Sequence, residues 1–270
     1  MKEGRRAWLV VGAAFTSMFT VFGAVYSFGA FFEPMAREFG TGQGLTSVLF
    51  AVTAVCYFGL GAVSGAVADR VGPRRVVLVG ALAMGAGLAL TALAPGFWLG
   101  CAAYGVGVGV GTACGYVPMV AAVGGWFERR RSLAIGIAVS GIGAGTLVVP
   151  PIAALLIERL GWRQAYLALA GASLVVLVAC GLAAEAPPVR AAAPRGLGHA
   201  VRTRAFALLY GTGLLSGFAL FVALVHIVPY ALRMGSAPLA AAGLVSVVGV
   251  GSVAGRLVLG GAADRLGPVI

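Results

Sequence analysis

Polar residues are so sparse along much of the chain that eight long apolar runs stand out, near residues 8–32, 45–68, 76–94, 97–124, 132–157, 162–184, 205–232 and 239–262. A helix needs about 20 apolar residues to cross the hydrocarbon core of a bilayer, so each run predicts one membrane-spanning helix. Most connections between runs are short, which makes neighbouring helices antiparallel. The exception is the segment 185–204, which holds Pro187, Pro188 and Pro194 among Ala and Arg and reads as a linker. The first run is too long for a cleaved signal peptide, so MKEGRR is expected to be a tail that holds the first helix in place.

Composition agrees with this division and removes other classes. Hydrophobic residues make up 60% of the chain, charged residues 10%, and the mean hydropathy is +1.01, which a water-exposed surface does not tolerate. The formal charge of +11 would point to nucleic acid in a soluble chain, but here the basic residues sit in the short segments between apolar runs and act as topology signals. One side collects Lys2, Arg5, Arg6, Arg70, Arg74, Arg75, Arg129, Arg130, Arg131, Arg190, Arg195, Arg202, Arg204 and Arg265; the other has Arg37, Arg159, Arg163 and Arg233. That imbalance places the N-terminus and the linker in the cytoplasm. Cys56, Cys101, Cys114 and Cys180 lie inside apolar runs without metal-ligand spacing and read as small buried hydrophobes. No cofactor is called for, and no nucleophile-base pair, metal cluster or paired carboxylates support a membrane enzyme.

Charge interrupts the apolar pattern at residues 65–75, GAVADRVGPRR, and the pattern G-x-x-x-D-R-x-G-P returns at residues 260–268 with Asp264 and Arg265. In the first copy Gly65 permits close helix approach, Asp69 is expected to end its helix or to cap a neighbouring one, and Gly72 suits a left-handed turn. Arg74 and Arg75 stay with the headgroups. A solvated, orientation-setting loop explains one copy equally well; the recurrence favours a specific role. Glycines spaced by four in the fourth run (Gly105 and Gly109; Gly107, Gly111 and Gly115) and in the fifth (Gly141 and Gly145) predict close helix packing. Pro118, Pro150, Pro151 and Pro229 predict bends.

Arg256 is the one basic residue within a span, eight positions before Asp264 and so about 12 Å deep along the helix. A guanidinium at mid-membrane costs about 2.5 to 3.5 kcal/mol on insertion scales, and no Asp or Glu lies at mid-depth to pair with it. It is well placed to take a substrate carboxylate through two parallel hydrogen bonds, with a structural role as the alternative. His226 is a second titratable group within a span, as ready to bond a helix or water as to bind substrate or move a proton. Tyr26 and Tyr116 are the tyrosines expected to line a polar cavity, ahead of Tyr57 and Tyr230, and His199 is expected in solvent.

The paired DR motifs, one after the second helix and one after the eighth with a linker after the sixth, resemble the major facilitator superfamily. The stretches YSFGAFFEPMAREFG, GWFERRRSLAIGIAVSGIGAG and HIVPYALRMG narrow the resemblance to monocarboxylate transporters and their oxalate/formate antiporter-like bacterial relatives. The resemblance implies an all-α polytopic membrane protein with a six-helix bundle (1–184), a cytoplasmic linker (185–204) and the first two helices of a second bundle (205–270), four helices short of twelve. It implies a secondary transporter of small organic anions in a cell membrane, such as a bacterial inner membrane, working by alternating access without nucleic acid. Arg256 would hold the carboxylate, His226, Tyr26 and Tyr116 would complete the substrate site, and the DR motifs would act as a conformational switch. Animal monocarboxylate transporters carry a Lys in the first helix and an Asp one turn before the helix-eight Arg. Here Tyr26 and Ser252 stand near those places, so protons as a coupled partner do not follow from the resemblance. The competing reading is a non-transporting membrane protein or an inactive transporter fragment.

The charge imbalance makes a topological prediction. Membrane-impermeant thiol reagents should reach a single Cys near Arg195 only from the cytoplasmic side and one near Pro95 only from outside. The reversed pattern would overturn the orientation.

Overall fold

The computed structural model describes residues 4–127, 130–187 and 202–266. Its eight membrane-length helices are α1 (Arg5–Glu38), α2 (Gly44–Val71), α3 (Pro73–Leu93), α4 (Phe97–Trp126), α5 (Arg131–Leu160), α6 (Trp162–Ala183), α7 (Arg204–Arg233) and α8 (Pro238–Ala262). The helix of α8 runs on to Leu266, and the described residues contain no strand. Arg129, most of the expected linker with Arg190, Arg195 and His199, and Gly267 and Pro268 of the second motif lie outside the described residues; of Asp264 and Arg265 only the helical backbone is described.

The first helix is longer than its apolar run predicts. The helical ladder breaks at Ser27, but that residue keeps helical angles (φ −73, ψ −10), its hydroxyl donates to the Ala24 carbonyl at 2.8 Å, and a second segment continues through Pro34 to Glu38. Two other junctions are single glycines. Gly72 (φ +90) joins α2 to α3 and Gly161 (φ +83) joins α5 to α6, both in backbone conformations that side chains with a Cβ rarely adopt.

The expectation for Asp69 is corrected here. Its helix continues past it to Val71 and stops at Gly72, because the glycine, not the carboxylate, supplies the turn. Asp69 is exposed, makes no hydrogen bond or ion pair among the described residues, and does not cap α3, which starts at Pro73 without a side-chain cap.

One apolar core runs through α1 to α6 and takes in single faces of α7 and α8. Between 28 and 61% of each apolar window is buried in the first six helices, against 11% in α7 and 17% in α8, so these two lie on the bundle rather than within it. Helix α4 is the centre of the arrangement because its glycines face three ways. A Cβ at Gly107 would fall 2.5 Å from the Gly87 Cα of α3, one at Gly109 would meet the Cys56 Cβ of α2 at 2.5 Å, and one at Gly115 would meet Val21 of α1 at 2.9 Å. Such approaches let main chains touch, which is how helices in lipid gain packing without help from water. Hydroxyls close the same contacts: Ser17 donates to the Gly115 carbonyl at 2.8 Å and Ser64 to the Ala113 carbonyl at 2.9 Å. Near the start of α4, at the end of the bundle away from Arg5, the ladder widens into a π-helical turn over Ala103–Val108, a feature the glycine spacing does not announce.

At that same end Arg163 ties three helices together. Its Nε donates to Glu38 at 2.7 Å, its terminal nitrogen donates to the Ala94 carbonyl at 3.0 Å and to that of Ala92, and the guanidinium lies over the Trp162 ring, whose indole also donates to Glu38.

A substitution at a crowded glycine should therefore cost far more than one at an open glycine. Gly107→Val should destabilise the bundle by about 1 to 3 kcal/mol or more and lower its melting temperature in detergent. Gly59→Val, which meets nothing within 4 Å, should leave melting unchanged. Equal melting of the two variants would contradict the contact between α3 and α4.

Candidate functional site

Arg256 lies on α8, half-buried, and donates a hydrogen bond to the hydroxyl of Ser252 one turn earlier. The side chain thus points back along its helix, away from the Leu266 end, as long helical side chains do. Among the described residues no carboxylate pairs with it; the ion pairs found there are Arg37 with Glu33 and Arg163 with Glu38, both at the opposite face. A serine hydroxyl satisfies one donor of the guanidinium but leaves its charge uncompensated.

Three tyrosines from three helices lie within electrostatic reach of that charge. The guanidinium acts electrostatically on the hydroxyls of Tyr26 on α1, Tyr57 on α2 and Tyr116 on α4. Their rings are gathered by Phe22, whose centroid is 5.6 Å from Tyr26, 5.8 Å from Tyr57 and 5.5 Å from Tyr116. Phe221 of α7 closes the group from the second set of helices, 6.0 Å from Tyr26. A cavity of about 10 Å³ adjoins it, lined by Phe22, Thr53, Tyr57, Thr112 and Phe221 among others, which is room for roughly one water. The arrangement sets a positive charge within electrostatic reach of three phenol hydroxyls in an apolar wall. It is suited to holding a small anion, because the charge attracts the anion and hydroxyls can donate to oxygens the guanidinium leaves free.

Of the residues expected at the site, the structure brings together Arg256, Tyr26 and Tyr116, and adds Tyr57. It leaves His226 apart. That residue is exposed on α7 with its ring 6.2 Å from Phe32, six positions beyond Tyr26 and so about 9 Å further along α1. Tyr230 is also exposed. The first-motif residues lie at the end of the bundle that carries the N-terminus. There Gly65 packs on Val117 of α4, with room of 3.0 Å for a Cβ, while Arg70 and Arg74 are exposed. A separate cavity of about 590 Å³ opens at the opposite end between α1, α5, α7 and α8, lined by Glu33, Arg37, Glu158 and Arg233 among apolar residues. The close contact of Gly29 with Leu224 and Val228 lies between it and the Arg256 group. No cluster of metal-ligating side chains occurs among the described residues.

Eight membrane-length helices, with an arginine within the eighth, are the architecture to be matched, and residues 14–270 match the Major Facilitator Superfamily. The chain belongs to that superfamily. Within it, the chain is 33% identical over 273 residues to monocarboxylate transporter 11 of Homo sapiens, covering 97% of this chain and 57% of that protein. It is 32% identical over 281 residues to monocarboxylate transporter 3 of Rattus norvegicus (98% and 57%) and 32% identical over 275 residues to monocarboxylate transporter 13 of Bos taurus (99% and 64%). The chain therefore spans about three fifths of the length of these relatives. A crystal structure of the peptide transporter POT in complex with sulfate superposes with a TM-score of 0.54 at 21% identity, covering 80% of this chain and 46% of that one. This likeness shows the fold: a part of the major facilitator architecture that includes eight of its helices.

Proposed function

We propose that this member of the Major Facilitator Superfamily carries small carboxylates across a cell membrane by alternating access, with Arg256 as the residue that holds the substrate carboxylate. The observation that carries the reading is the guanidinium itself, midway along an apolar helix, bonded to a hydroxyl and within electrostatic reach of three tyrosines, with no carboxylate partner among the described residues. An isolated charge in that position is costly, and an anionic ligand offsets the cost while a neutral one does not. The relatives are named monocarboxylate transporters, which favours the same substrate class.

In this reading the two sets of helices rock about the site. Tyr26, Tyr57 and Tyr116 travel with the first set, Arg256 and Phe221 with the second, so the pocket is made where the sets meet. The carboxylate takes two parallel hydrogen bonds from the guanidinium, and a tyrosine hydroxyl donates to an oxygen that remains. The N-terminus and the DR turn face the cytoplasm. Gly65, Asp69, Arg70, Gly72 and Arg74, with Asp264 and Arg265 in the second copy, bias the equilibrium between inward and outward states instead of touching substrate.

Titration of the purified chain with lactate, oxalate and formate tests the assignment. A charge-assisted hydrogen bond contributes about 1.5 to 3 kcal/mol and each 1.4 kcal/mol is about tenfold, so Arg256→Ala should raise Kd by about 10- to 100-fold. Arg256→Lys should lose less, keeping the charge without the planar fork, and Asp69→Asn should leave Kd unchanged. Equal Kd for wild type and Arg256→Ala, with the variant folded, would make Arg256 structural.

A further inference from the structure

Helix α5 carries two rows of glycine that face opposite ways. On one side Gly141 and Gly145 lie against α1, where a Cβ would run into the carbonyls of Phe15 and Phe19. On the other side Gly143 lies against α8, where a Cβ would stand 2.8 Å from the Gly249 carbonyl and 2.8 Å from the Val253 nitrogen. Gly136 follows on the same face with the Arg256 carbonyl at 3.0 Å and the Gly260 Cα at 3.4 Å. The contact is reciprocal, because a Cβ at Gly249 would fall 2.6 Å from both the Gly143 carbonyl and the Leu147 nitrogen, and Ser246 fixes the register by donating to the Leu147 carbonyl at 2.7 Å.

The two helices held in this way carry two residues of the proposed site: α1 carries Tyr26, and α8 carries Arg256, within electrostatic reach of it. Main chain touches main chain on both sides of α5, so the distance between α1 and α8 is the thickness of a bare helical backbone. A flexible side chain could yield to a changed neighbour; a backbone cannot without moving its whole helix.

We propose that, in the conformation of this structure, α5 is a spacer that sets the gap between Tyr26 and Arg256 and thereby selects the size of the acid bound there. Gly136 and Gly143 act as positioning residues for Arg256, Gly141 and Gly145 as positioning residues for Tyr26. The proposal rests on the reading of Arg256 as the carboxylate ligand. Its consequence is directional. A methyl group added on either face pushes Tyr26 and Arg256 apart, so a one-carbon acid loses contact with one of them while a longer acid keeps both.

The test compares Kd for formate and butyrate in wild type, Gly143→Ala and the milder Gly136→Ala, each also combined with Arg256→Ala. The glycine variants should shift the formate-to-butyrate Kd ratio toward butyrate by about tenfold, the scale on which a pocket distinguishes acids by a methylene. The shift should vanish when Arg256 is absent, since the glycines act through it. A general loss of fold would weaken both acids alike and leave the ratio unmoved. If Arg256→Ala weakens both acids but the glycine variants leave the ratio at its wild-type value, the spacer is wrong and the carboxylate site stands.

If Arg256→Ala changes neither acid, the carboxylate site is wrong and cross-linking decides the spacer. A Tyr26→Cys, Ser252→Cys pair, with Cys56, Cys101, Cys114 and Cys180 replaced by Ala, should react fastest with a shorter bifunctional thiol reagent in the native α5 than in Gly143→Ala. The same length preference in both would overturn the spacer.

Discussion

Helices in a bilayer gain nothing from leaving water when they meet, because lipid tails are as apolar as the side chains they replace. What holds this bundle together is the close approach of main chains, and that approach is possible only where glycine occupies the contact. Gly107 against Gly87, Gly111 against Gly80 and Met84, and Gly143 against Gly249 leave no room for a Cβ. The hydroxyls of Ser17, Ser64 and Ser246 donate across the same seams to carbonyls of the neighbouring helix. Backbone seams of this kind are stiff in separation, so in this conformation whatever the helices carry at mid-depth is held at a set spacing.

That stiffness gives Arg256 its meaning. A guanidinium on a loosely packed helix would move toward the headgroups; one on α8, with its own carbonyl against Gly136 and its side chain bonded to Ser252, is held within electrostatic reach of Tyr26, Tyr57 and Tyr116. The tyrosines come from three helices and share a contact with Phe22. Phe221 joins them from α7, so the group straddles the boundary between the first six helices and the two that follow.

The spans were legible because about twenty apolar residues is a threshold set by bilayer thickness, and Gly72 was legible because an isolated glycine beside a Pro marks a turn. Arg256 stood out as a cation in an apolar run. Other features depend on contacts that the one-dimensional pattern does not carry. The extension of α1 through Ser27 to Glu38 is one, since the run becomes polar there while the hydrogen-bonded backbone continues. Asp69 is another: its charge suggested a helix stop, yet the backbone ends where a positive φ is allowed. Tyr57 drew less weight than Tyr26 and Tyr116 because only the packing of α2 on α4 brings it to the same ring cluster. The second face of α5 was hidden in the same way, as Gly136 and Gly143 are spaced by seven and match a partner helix known only once the chain is folded.

The central claim is that the uncompensated charge of Arg256 is where a carboxylate sits. Its most direct measurement is the through-space dipolar coupling between a ¹³C-labelled carboxylate carbon of lactate and ¹⁵N-labelled arginine side chains, recorded by solid-state NMR on the protein in lipid. Two parallel charge-assisted hydrogen bonds put that carbon about 4 Å from the guanidinium nitrogens, so a coupling of that strength should appear and should disappear in Arg256→Lys. A coupling that survives Arg256→Lys, or none at saturating lactate, would contradict the account.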